Sequence, residues 1–107
     1  MSVEFSNAEL KKLYETGKSR KYILQPLVLK KYVSVITILD AAKELRDLWN
    51  RPSLNFERLE GTKGGKERYS ARLDRKYRVE MTIEWEGKEK IRIEIIHIEE
   101  LSNHYGD

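Results

Sequence analysis

The chain has 107 residues, with 21 Lys or Arg against 18 Asp or Glu, 39% apolar content, two Pro and no Cys. That length fits a single domain spanning residues 1–107, and apolar residues recurring at regular spacing provide a modest core, which excludes a disordered chain. The lack of cysteine excludes a disulfide framework and a thiolate site, and no apolar run approaches the roughly 18 residues of a membrane-spanning helix, so a cytoplasmic protein is expected.

Ser2 to Phe5 alternates briefly, as a short strand would. Ser6 followed by Glu9 has capping-box spacing and opens a first helix that Gly17 closes. Pro26 suits the first turn of a second helix, and Pro52 stops it about 25 residues later. Between them Leu29, Tyr32, Val33, Ile36, Leu39, Ala42, Leu45, Leu48 and Trp49 form one apolar stripe at spacings of three and four. From Leu54 onward the period changes to two. Tyr69, Ala71 and Leu73 alternate with Arg68, Ser70 and Arg72; Tyr77, Val79, Met81, Ile83 and Trp85 alternate with Arg78, Glu80, Thr82 and Glu84. Asp74 to Lys76 connects these two strands, Glu86 and Gly87 form the next turn, and Ile91, Ile93 and Ile95 begin a third alternating strand. The expected class is α+β: two N-terminal helices packed on one face of an antiparallel sheet of three to four strands.

The charge is unevenly placed. Residues 63–78 carry seven bases (Lys63, Lys66, Arg68, Arg72, Arg75, Lys76, Arg78) against Glu67 and Asp74, whereas residues 84–100 carry six Glu against Lys88, Lys90 and Arg92. A basic strip of this kind fits either a polyanion partner or a solvated face. Alternation places Arg68, Arg72 and Arg78 on the sheet surface opposite the apolar series, where their charges repel unless an anion arrives.

Walker, GxGxxG, HExxH and GxSxG patterns are all absent, and His97 and His104 have no partner at metal-ligand spacing, so no metal and no cofactor is expected. Thr62 to Gly65 reads as a hairpin tip, and His97 as a strand residue with a structural or surface place. The remaining groups are Glu57, Arg78, and His104 with Tyr105. Metal-free RNA cleavage needs a base for the 2'-OH, a cation for the phosphorane and an acid for the departing 5' oxygen, and Glu, Arg and His can fill those roles.

ERLEG at 57–61, a Gly/Lys tip, RYSARLDRKYRVEM at 68–81 and SNHYGD at 102–107 resemble the RelE/ParE toxin superfamily of bacterial toxin-antitoxin systems. LKKLYETG at 10–17 and the long second helix are similar to the HigB branch, while the chemistry-bearing positions are closer to the YoeB branch. The resemblance implies Glu57 as the base, Arg78 on the scissile phosphate, His104 as the acid and Tyr105 as its neighbour in the terminal His-Tyr pair. Arg68 and Arg72 match basic positions on the preceding strand. The family's usual Lys before the turn Gly is Glu60 here, with Lys63 and Lys66 on the longer tip placed to compensate, and Arg75 belongs to the same basic strip.

The same resemblance implies a type II toxin that cuts messenger RNA on the 70S ribosome and is restrained by a cognate antitoxin, typically of helix-turn-helix type. Two alternatives stay open on the sequence: a ParE-like inhibitor of DNA gyrase, and a non-catalytic RNA-binding domain. Neither a membrane nor a small-molecule cofactor is among the expected partners.

Overall fold

Helices come first and strands follow: β1 (Val3–Phe5), α1 (Ala8–Thr16), α2 (Pro26–Ala41), α3 (Leu45–Trp49), a short 3-10 turn (Pro52–Leu54), β2 (Glu57–Lys63), β3 (Lys66–Arg72), β4 (Tyr77–Glu86) and β5 (Arg92–Asn103). The structure, a computed structural model, describes residues 2–63 and 65–103. Its sheet has five strands in the order β1-β5-β4-β3-β2, all neighbours antiparallel except β1, which runs parallel to β5. The expected α+β class holds, with one strand more than the three to four read from the sequence. The addition to the sheet is β1, read from the sequence as a short strand but without its partner, which lies some ninety residues away (Val3 opposite Ile96), so local pattern could not pair it.

The first helix is capped one residue later than expected. Asn7, not Ser6, takes the N-cap, its side chain accepting the Leu10 N–H at 2.9 Å. Ser6 instead donates its hydroxyl to the Ile98 carbonyl at 2.8 Å, tying the chain to β5. Glu9 is likewise used elsewhere: its carboxylate accepts from the Arg20 N–H at 2.9 Å and the Ser19 hydroxyl at 2.8 Å, which holds its carboxyl below the ordinary range and pins the connection into α2. Gly17 closes α1 as read, with φ of +76° and its N–H on the Leu13 carbonyl.

The second helix does not run to Pro52. It stops at Ala41, because residues 43–45 lie as an edge beside the start of β5: Ile93 N–H donates to the Lys43 carbonyl and Leu45 N–H to the Ile91 carbonyl, both at 2.9 Å. Those bonds need extended backbone, and α3 restarts behind a capping box in which Asp47 accepts the Glu44 N–H at 3.0 Å. The apolar stripe survives the break, since Leu39, Ala42 and Leu48 are all buried.

The last strand also differs from its reading. Register shifts at Glu80/Met81 and Glu84/Trp85 change which side chains face inward, so Ile93, Ile96 and Ile98 are buried, while Ile91 precedes the strand and is 51% exposed. These isoleucines pack with Val79, Met81, Leu10, Leu13, Val35, Ile36 and Leu39 in one apolar core between helices and sheet. Tyr32 lies fully inside it and donates its hydroxyl to the Leu10 carbonyl at 2.8 Å; burial pushes that hydroxyl's pKa far above its ordinary value.

Candidate active site

With Ala71, Val79 and Met81 turned into the core, alternation sends Ser70, Arg72, Arg78 and Glu80 to the opposite sheet face. Register fixes their neighbours. Glu57, the first residue of β2, lies opposite Ser70; Arg72 lies opposite Arg78; Arg78 lies opposite Ser102. Asn55, in left-handed conformation after the 3-10 turn, and Phe56 lead the chain into β2. Together Asn55, Phe56, Glu57, Ser70, Arg72 and Arg78 line a cleft of about 320 Å³.

Inside the cleft Arg78 donates from Nη1 to Glu57 Oε1 at 2.8 Å. The pair is only partly shielded, the Glu57 side chain being 53% exposed. Arg72, directly across from Arg78, makes no hydrogen bond or ion pair among the described residues and stands exposed. The repulsion expected of three clustered guanidinium groups is therefore relieved by carboxylates: Glu57 on Arg78, and both Glu80 and Glu100 on Arg68. The carboxylates equal the guanidinium groups in number, but two of them sit on Arg68, so Arg72 is the one of the three without a carboxylate against it among the described residues.

The predicted site residues are thus only partly assembled. Glu57, Arg72 and Arg78 share the cleft. Arg68 sits beside it, its side chain 12% exposed and held by Glu80 at 3.8 Å and Glu100 at 3.4 Å. Lys66 is exposed at the far end of the β2–β3 hairpin, where the backbone of Lys63 opposes it. Arg75 is exposed in the β3–β4 turn and lines a separate cavity of about 550 Å³ with Ile23, Gln25, Val28, Asp74, Lys76 and Tyr77. His104 and Tyr105 lie outside the described residues, as does the side chain of Lys63. Sequence reasoning missed Asn55 and Ser70 as cleft walls; an Asn directly after Pro-Ser-Leu was the available signal for a left-handed turn entering the strand.

Farther along the same face, Thr82 donates to Glu99 at 2.7 Å, and His97 bonds Glu84 across β4 and β5. The hydrogen bond from His97 holds the Glu84 carboxyl below its ordinary value of 4.5. A carboxyl depressed in the folded state contributes stability above 4.5 and loses it as pH falls through the lower folded value. Glu84→Gln should therefore flatten part of the fall in thermal midpoint between about pH 5 and pH 3. Parallel curves for the two proteins over that range would show that the pair contributes nothing there.

Residues 3–96 match the family model for the RelE-like toxin HigB of type II toxin-antitoxin systems. The chain belongs to this HigB-like toxin family. The match spans the helices, the Glu57–Arg78 cleft and the start of β5, and it ends before the C-terminal His-Tyr pair. No curated protein is similar enough to the toxin to count as a relative. A type II toxin implies a cognate antitoxin as partner. Among the described residues no helix of the toxin is long and apolar enough to cross a membrane.

Proposed function

We propose that the toxin is a ribosome-dependent messenger RNA endonuclease whose base is Glu57, whose phosphate-stabilising cation is Arg78 and whose acid is His104. The observation that carries this reading is the 2.8 Å contact of Glu57 with Arg78 in a cleft that also holds the unpaired Arg72. A carboxylate and a guanidinium at that distance can flank one ribose-phosphate unit. An arriving phosphodiester takes Arg72 first, because no carboxylate among the described residues engages that guanidinium, and then competes with Glu57 for Arg78. Glu57, released, accepts the 2'-OH proton; O2' attacks phosphorus; Arg78 faces the charge that develops on the non-bridging oxygens while Arg72 keeps hold of the phosphate. The P–O5' bond then breaks as His104 donates a proton to O5', leaving a 2',3'-cyclic phosphate and a 5'-OH.

The path of the chain supports the third role, since β5 ends at Asn103, opposite Tyr77 and one residue from Arg78 on β4. The residue after it is His104, and Tyr105 orients the scissile nucleotide. Lys63 and Lys66 on the hairpin tip and Arg75 on the β3–β4 turn hold RNA beyond the cleft, with Arg68 supporting the face. A domain this small cannot unstack and position an RNA strand by itself, so the ribosome supplies the substrate geometry.

Purified toxin added to ribosomes programmed with messenger RNA should give fragments ending in 2',3'-cyclic phosphate and 5'-OH, at the same rate with EDTA present. Fragments ending in 3'-OH and 5'-phosphate would overturn the reaction, and inhibited gyrase supercoiling with messenger RNA left whole would replace it with the ParE-like activity.

A further inference from the structure

The connection from α1 to α2 alternates inward and outward. Tyr22 and Leu24 pack against the core, whereas Ile23 between them is 84% exposed, and Leu27 in the first turn of α2 is 82% exposed. A lone exposed aliphatic residue says little. Three further features coincide here. Ile23 lines the cavity of about 550 Å³ that runs to Tyr77 and the β3–β4 turn. The N–H groups of Ile23, Leu24 and Gln25 donate to nothing among the described residues, although Glu9 and Ser19 hold the connection in place just upstream. The surroundings are basic: Arg75 and Lys76 line the same cavity, and the exposed Lys18, Arg20 and Lys21 shortly precede Ile23 in the chain, while the acids Glu9 and Asp74 are occupied by backbone N–H groups.

We infer that this apolar shelf, Ile23 and Leu27 in basic surroundings, is the docking site for an acidic amphipathic segment of the cognate antitoxin. Charge decides among occupants. A second copy of the toxin would bring one basic surface against another. RNA would find cations but also two aliphatic side chains that neither stack nor donate. A segment with apolar residues on one side and Asp or Glu on the other satisfies the aliphatic pair, the idle N–H groups and the surrounding cations together. Arg75 borders both this shelf and the proposed RNA path, so a docked antitoxin competes with RNA for it. The inference rests on membership of a toxin-antitoxin family and not on the nuclease reading.

The test measures binding of the toxin to the antitoxin of the adjoining reading frame by calorimetry, in a Glu57→Gln background so that failure of the nuclease reading leaves the result unaffected. Ile23→Ser/Leu27→Ser should raise Kd about a hundredfold. Its thermal midpoint should stay within about 2 °C, because both side chains are exposed. Lys18→Glu/Lys21→Glu should raise Kd about tenfold and remove most of the salt dependence. The docking site is wrong if the aliphatic double variant binds within about threefold of the parent. It is equally wrong if that variant keeps the antitoxin while losing ribosome binding or a toxin dimer seen by sedimentation. Should the double variant fail to fold, a photo-crosslinker at position 23 replaces it: capture of the acidic segment supports the site, and capture of the DNA-binding helices alone overturns it.

Discussion

Toxin carrying Glu57→Gln should cleave messenger RNA on programmed ribosomes about a hundred to ten thousand times more slowly than the parent, and Arg78→Gln at least about a hundred times more slowly. Both losses should appear in kcat. In the proposed reaction the charge that Arg78 meets develops mostly in the transition state, and the proton assigned to Glu57 leaves only there. Arg72→Gln should act differently, raising KM more than it lowers kcat, since an unpaired exposed guanidinium binds the phosphate in ground and transition states alike. Stability separates these effects from misfolding. The Glu57–Arg78 pair is partly exposed, and a pair of that kind is worth about 0–1 kcal/mol, so thermal midpoints should move by only a few degrees. Losses in the Glu57/Arg78 double variant should fall short of the product of the single losses, because the two groups act on one phosphate. Full cleavage by both single variants would remove the cleft from the chemistry.

The second large effect is on folding. Arg68→Ala should lower the free energy of unfolding by about 3 kcal/mol, read by urea titration, because it strands Glu80, itself 12% exposed, without its counter-charge. That cost holds even though Arg68 is imperfectly satisfied, its Nε and Nη1 hydrogens finding no acceptor among the described residues. Combining Arg68→Ala with Glu80→Gln should recover part of the loss, since the uncompensated charge is then gone. If Arg68→Ala unfolds like the parent and loses only RNA affinity, Arg68 belongs with the RNA contacts instead.

Much of the site was legible in residue alternation. Period two along 68–73 and 77–85 put Arg72 and Arg78 on one surface, and a short turn made them cross-strand neighbours. Glu57 met Arg78 because β2 pairs with β3, and the contact itself was the part no local pattern could give. What escaped were outcomes settled by distant chain. The stripe from Leu29 to Trp49 is continuous as a helix, and only the bonds from residues 43–45 to the start of β5 interrupt it. The bulges that turn Ile96 and Ile98 inward in place of Ile91 and Ile95 are set by the match between two strands, not by either one. Carboxylates facing the arginines were visible as letters, yet Glu80 and Glu100 come together on Arg68 only after β3, β4 and β5 align.

The order of the strands bears on how the toxin comes into being. The last of the five described strands in chain order is an inner one, lying between the first strand and β4. Val3 to Phe5 therefore has no partner until residues 96–98 have been synthesised, and the apolar face of α1 and α2 waits as long for Ile96 and Ile98 to cover it. Such long-range closure is slow and leaves sticky surface exposed in the meantime. A nascent toxin is thus unable to complete its sheet, or to bury the apolar faces of its helices, until β5 has been translated.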